Sequence, residues 1–169
     1  MHYGLALPNG GIDPQTMAEF AALAEASGWD GIFVEDYIVW QGDQSVPTYD
    51  PWVLLAAMAM RTQRVRLSTQ ITPLARRRPW KVAREAMTLD HLSNGRVILG
   101  KAFVESQRGT SAHYDISVGG SPRREDWDEE RAYIRSLAEV SSTWWIEYIP
   151  PDDLDKMRAC IARGPLRID

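Results

Sequence analysis

An α/β domain, strands and helices alternating along a parallel sheet, is the fold class this sequence predicts, on three observations. Val65 to Gly100 forms one complete strand–helix–strand unit. The pair Asp-Pro, an N-cap followed by proline in the first helical turn, recurs at 13–14 and 50–51, each time between a strand-like run and a helical one. Strand-like runs then return along the whole chain, each followed by a helix or by a segment too short to be one. Parallel strands need a crossover, and that crossover is almost always right-handed.

Taken in order, residues 2–7 are the first strand, closed by Pro8-Asn9-Gly10-Gly11. Met17, Phe20, Leu23 and Ala24 recur at helical spacing, and Gly28 ends that helix. GIFVE (31–35) is the second strand, turning polar at Asp36-Tyr37. Residues 38–49 make a loop longer than the roughly 2–6 residues of an ordinary βα connection, and such loops tend to be functional. WVLLAAMAM is apolar nearly all round, which predicts a helix buried on more than one side. Val65, Leu67, Thr69 and Ile71 alternate as strand three. Pro79 opens a helix carrying Val82, Ala86, Leu89 and Leu92, Ser93-Asn94-Gly95 stops it, and Arg96–Gly100 begins strand four. After an aperiodic stretch from Lys101 to His113, Tyr114, Ile116 and Val118 alternate as strand five. A helix over 126–140 turns Trp127, Ala132, Ile134, Leu137 and Ala138 inward. Residues 143–149 (TWWIEYI) are strand six, with Trp144 and Trp145 on opposite faces, and a last helix buries Leu154, Met157 and Ile161.

The chain has 169 residues. A full (β/α)₈ barrel typically takes ~250 and rarely fewer than ~200, so six units predict an open sheet or a barrel with parts missing. The 44 % hydrophobic and 25 % charged composition is that of a globular core. A net charge of −4 argues against nucleic acid as a partner. No apolar run approaches the ~18 residues of a membrane span, and the residues after Met1 lack the basic and apolar regions of a signal peptide. Cys160 is the single cysteine, which excludes a disulfide framework and points to a reducing, cytoplasmic setting. The scattered His2, His91 and His113 have no metal-ligand spacing.

Four stretches carry a resemblance: AEASGWDGIFVED, YDPWVLLAAMAMRTQRVRLSTQITPLARRRPWKVAREAMTLDHLSNGRVILG, YDISVGG and TWWIEYI…GPLRID. They resemble the luciferase-like monooxygenase superfamily, the TIM-barrel-like (β/α)₈ flavin- or F420-dependent oxidoreductases related to bacterial luciferase. RRPWKVAREAMTLDHLSNGR is the most specific block. Residues 1–100 resemble the family's first four βα units and 112–168 its last two, within a single luciferase-like domain over 1–169. Nothing resembles the fifth and sixth units; that loss falls inside Lys101–His113, and Lys101-Ala102-Phe103 stands where the family has a glycine-rich turn. The resemblance implies a TIM-barrel-like fold of about six parallel strands and a flavin or deazaflavin cofactor, FMN or coenzyme F420. It also implies a small-molecule substrate; the all-round apolar WVLLAAMAM, with one face on the sheet and the other left for a second subunit, predicts a homodimer through the 51–62 and 79–92 helices.

In a parallel barrel the site lies at the carboxyl ends of the strands. Here those ends carry Asn9 and Gly10, then Glu35, Asp36 and Tyr37, then Thr69 to Thr72, and finally Glu147 and Tyr148. The resemblance makes Asp36 and Tyr37 the catalytic candidates, Tyr37 standing where a histidine is common. A carboxylate at such a mouth serves as a general base where burial raises its pKa, and otherwise caps the loop or pairs with an arginine. Asn9, Thr69, Gln70, Thr72, Arg76 and Glu147 are the cofactor-binding candidates, Arg76 with Arg77 and Arg78 because guanidinium forks match phosphate. The family's non-prolyl cis peptide corresponds to about Thr69–Gln70. Gly119-Gly120-Ser121 is a candidate small phosphate nest. The function implied is an oxidoreductase or monooxygenase acting on a small organic substrate. The alternative is a non-catalytic, dimer-forming relative with weak or no flavin binding.

Overall fold

The computed structural model describes residues 1–99, 117–140 and 142–168. Six strands form one sheet: β1 (His2–Leu7), β2 (Gly31–Val34), β3 (Arg66–Thr69), β4 (Val97–Ile98), β5 (Ser117–Ser121) and β6 (Trp144–Tyr148). Between and after them run α1 (Pro14–Ala26), α2 (Pro51–Ala59), α3 (Pro79–Leu92), α4 (Trp127–Glu139) and α5 (Leu154–Ala162), with a 3₁₀ turn at Leu74–Arg76. The Asp-Pro signatures work as the spacing implies. Asp13 accepts from the backbone of Gln15 and Thr16, and Asp50 from that of Trp52 and Val53.

The strand order is β4-β3-β2-β1-β6-β5 and every pairing is parallel. The chain lays β1 to β4 outward in one direction, then returns on the other flank of β1. Such an order is a ring with a gap. The helices follow it: α1 lies between α2 and α5, and α2 packs on α3. The sheet also curls. A Cβ placed on Gly120, at the end of β5, would stand 3.6 Å from Nε2 of Gln70, just past β3, although β2, β1 and β6 intervene in the sheet.

Alternation sorts the strand side chains onto two faces. Tyr3, Leu5, Leu7, Ile32, Val34, Leu67 and Trp145 join the helices' Met17, Phe20, Leu55 and Met58 in the larger core. Ala6, Phe33, Trp144 and Ile146 form a second cluster on the concave face, with Ile98 and Tyr148 against it. Trp144 and Trp145 thus take opposite faces. Gly119 lets β5 approach β6: its φ is +120°, and a Cβ there would lie 2.1 Å from the carbonyl oxygen of Ile146.

Some positions differ from the sequence reading. The described part of strand five is Ser117–Ser121; Tyr114 and Ile116, where the alternation begins, lie outside the described residues. Leu92, Trp127 and Leu154 are exposed rather than inward. Each stands at a helix end, where the apolar stripe has run past its partner; the Trp127 ring lies under the Arg123 guanidinium, 5.5 Å from it. α2 buries Trp52, Leu54, Leu55, Met58 and Ala59 but leaves Val53 and Met60 outside. Among the described residues no helix is long and apolar enough to cross a membrane.

Candidate functional site

The carboxyl ends of β1, β2 and β3 are tied together by polar contacts. Asn9, buried after β1, donates through Nδ2 to the carbonyls of Tyr37 (2.7 Å) and Tyr49 (3.2 Å). The Tyr49 N–H donates to the Asn9 carbonyl at 2.8 Å and the Gly11 N–H to that of Pro47 at 3.1 Å. The long loop over 38–49 is therefore strapped across the rim of β1. Asn9 builds that rim.

Asp36 does not stand free. Arg77 grips one carboxylate oxygen through Nε (3.1 Å) and Nη2 (2.9 Å), and Arg76 lies 3.2 Å from the other. Arg76 also donates to the Asp36 carbonyl, while Arg77 reaches Asp50, the cap of α2. The pairing alternative therefore describes Asp36, and Arg76 is spent on the same contact. Outside the rim lies a groove of about 430 Å³ lined by Ile38, Trp80 and Arg78 together with these pairs. Asp36, Asp50 and Glu85 offset its arginines.

Tyr37 is half exposed, its ring edge-on to Trp40 with centroids 6.1 Å apart. Thr69 and Thr72 share a hydroxyl hydrogen bond with Thr69 buried, so these two candidates meet each other. The non-prolyl cis bond is Gln70–Ile71, one residue beyond the expected place. Glu147 departs most from expectation. It shares a face with Trp145, on the helix side of β6, where Arg123 (2.7 Å) and Arg163 (2.8 Å) clamp its carboxylate. Strand parity decides this, since residues 144, 146 and 148 point the other way.

The same parity directs Glu35 inward. It lies two residues past Phe33 on the concave face. Its Oε2 is buried and finds no hydrogen-bond partner among the described residues, and neither does Oε1 of Gln70. These residues extend adjacent strands paired Val34 to Thr69. Burial pushes the Glu35 carboxyl up to about 7. Burial likewise pushes the Tyr148 phenol up to about 12, and the charge of Glu35 and then of Tyr37 adds to the effect. Glu35, Gln70 and Tyr148 are therefore the polar lining of the mouth. The reading of strand ends named Glu35 and Tyr148, but the catalytic assignment went to their neighbour Asp36; counting parity from Phe33 is the signal that separates them.

A one-sided helix shell around a curled parallel sheet, with polar groups at its carboxyl mouth, defines an incomplete (β/α) barrel. Residues 1–152 match the family model described as luciferase-like monooxygenase, and the chain belongs to that family. An uncharacterised Mycobacterium tuberculosis protein is 37 % identical over 165 residues, covering 87 % of this chain and 54 % of its own length. An F420-dependent glucose-6-phosphate dehydrogenase from Amycolatopsis mediterranei is 33 % identical over 130 residues, 75 % of this chain and 35 % of the relative. The chain thus spans about half, or less, of the curated relatives it matches. Among solved structures, an F420-dependent secondary alcohol dehydrogenase in complex with an F420–acetone adduct superposes with a TM-score of 0.52 at 25 % identity, over 70 % of this chain and 31 % of that one. A monooxygenase from Streptomyces bottropensis shares the fold with a TM-score of 0.50 at 22 % identity, over 95 % of this chain and 42 % of that one.

Proposed function

We propose that this chain is a luciferase-like oxidoreductase, of flavin- or deazaflavin-dependent monooxygenase type, acting on a small organic substrate. The observation that carries it is a set of buried acceptors at the carboxyl ends of the strands, Glu35 Oε2, Gln70 Oε1 and Asn9 Oδ1, that find no hydrogen-bond partner among the described residues. Buried polar atoms are ordinarily satisfied, so these fit a ligand that brings donors. The pyrimidinedione edge of FMN or F420 carries an N–H between two carbonyls, and the Gln70 amide offers the matching acceptor and donor. Such a ring, when bound, supplies two-electron chemistry; the chain orients it and excludes water. The part of the family that holds the cofactor phosphate corresponds to the shortened stretch Lys101–His113, where Lys101-Ala102-Phe103 replaces the glycine-rich turn, and it lies outside the described residues. The names of the relatives support F420, and the family description supports a monooxygenase.

The test is to titrate the protein with FMN and with F420 separately and follow Trp fluorescence, for which Trp144 beneath the mouth and Trp40 on the loop are reporters. Saturable quenching by one of them with a midpoint in the micromolar range is the expected result. Quenching by neither leaves the non-catalytic reading.

We further propose a homodimer through α2 and α3. Val53 on α2 and Met60 at its C-terminal cap, with Trp80 and Met87 on α3, are large apolar side chains left exposed on adjacent helices. Light scattering at micromolar concentration is expected to give twice the 19.1 kDa chain mass; the chain mass itself would refute the dimer. A cytoplasmic setting fits the lone, half-buried Cys160 thiol.

A further inference from the structure

We propose that the amino end of the concave face is a second site, which binds a small phosphate anion through Arg66, Trp144 and His2. It does not rest on the oxidoreductase reading above.

Strand parity and two glycines build the cavity. Phe33 faces the concave side and pairs with Ser68, so Gly31 and Arg66, two residues earlier and themselves paired, face it as well. His2 and Trp144 are register partners across β1 and β6 on the same face. The Trp144 ring reaches across to β2, where a Cβ on Gly31 would lie 2.7 Å from it. It meets the Phe33 ring edge-on with centroids 5.5 Å apart, so buried aromatic rings lie between this end of the face and the mouth. The cavity left at the amino end has a volume of about 230 Å³ and is lined by His2, Asp30, Arg64, Arg66, Ile98 and Trp144.

The charges around it do not cancel. Asp30 accepts from the Tyr3 N–H at 2.9 Å and is flanked by Arg167 at 3.4 Å and Arg64 at 3.6 Å. Arg64 is held further by the carbonyls of Glu25 and Trp29. The Arg66 guanidinium has no acceptor among the described residues. Trp144 is 3 % exposed, and its Nε1–H finds no acceptor among them either. Buried donors are ordinarily satisfied. The His2 imidazole stacks on the indole, ring centroids 4.8 Å apart. In a chain of net charge −4, this cavity therefore keeps one unmatched cation beside an unspent donor.

An oxyanion answers both, since the guanidinium fork matches its oxygens. A planar carboxylate would be taken up by that fork alone. The tetrahedral oxygens of phosphate point several ways at once, as donors on β1, β3 and β6 require. The phosphate is either the free ion or the headgroup of a small phosphomonoester.

The experiment follows the indole N–H resonances of the chain by nitrogen–proton NMR while inorganic phosphate is added at constant ionic strength. The Trp144 peak is assigned by its nuclear Overhauser contact with the His2 ring. A saturable shift of that peak with a millimolar midpoint is expected, and R66A is expected to weaken it by about tenfold or more. Arg66 is exposed and engages no described neighbour, so the R66A amide spectrum is expected to overlay that of the wild type elsewhere. Glycerol 3-phosphate separates the two sources: a lower midpoint than that of inorganic phosphate supports the ester, and a higher one supports the free ion. Acetate saturating at the same midpoint as phosphate overturns the choice of anion. No saturable shift of the Trp144 peak, or one that R66A leaves unchanged, overturns the site.

Discussion

Replacing Arg96 with methionine is expected to lower the unfolding free energy by about 3–5 kcal/mol, the cost of leaving several buried acceptors without their donor. Arg96 is 8 % exposed and its guanidinium serves three elements at once. Nε donates to the Ser93 carbonyl at 2.7 Å, closing the end of α3. Nη1 donates to Oγ1 of Thr62 at 2.8 Å and to the Val65 carbonyl at 3.0 Å, at the entry to β3. Nη2 donates to the carbonyls of Ala59 and Thr62, both at 3.0 Å, at the end of α2. Methionine fills much the same volume and satisfies none of these acceptors. Four carbonyls would be left buried without a donor, which is why the loss exceeds that of an ordinary hydrogen bond. The urea midpoint is the measurement. A shift worth less than about 1 kcal/mol would mean that water reaches those carbonyls and the network is not the clasp described here.

Breaking the buried Arg123–Glu147 pair has the next largest effect. Arg123→Met is expected to destabilise by about 2–4 kcal/mol, because Glu147 keeps one partner, Arg163, and loses the better buried one. The side chains of Arg123 and Glu147 are each only 2 % exposed, whereas that of Arg163 is 33 % exposed. Arg123 also donates to the Gly164 carbonyl at 2.7 Å, which fastens the end of α5 to the segment ahead of α4. The double variant R123M/E147M removes both charges and is expected to be more stable than R123M alone. Two separate, additive losses in the double variant would show that the pair is not coupled.

The fold was legible because its signals are local. Asp13-Pro14 and Asp50-Pro51 start helices through contacts within three residues, and Pro79 and Gly95 bracket α3 by the same short-range logic. Strand six was legible down to the opposite facing of Trp144 and Trp145, since period two is a property of the backbone. The site was harder. Glu35 and Asp36 are adjacent carboxylates at one strand end, and what separates their chemistry is Arg76 and Arg77, forty residues away in sequence and brought back by the 3₁₀ turn. Glu147 looked like a mouth residue by position; its helix-side partner Arg123 stands before α4, and no pattern in the sequence announces that pairing. The exposure of Leu92, Trp127 and Leu154 has a related origin. Helical periodicity says which side of a helix is apolar, but the reach of the neighbouring element says how much of that side is covered.

The strap of residues 38–49 sets what can pass over the β1–β2 side of the mouth. Its far end is held by Asn9 and Gly11 and its near end by Asn9 and by the Thr48 hydroxyl on the Ile38 carbonyl. Swinging it aside would rupture several of these bonds together and strip a buried amide of its acceptors. On that flank the protein behaves as a fixed sill, and the girth of molecule admitted there is written into the folded shape rather than into any breathing of the chain.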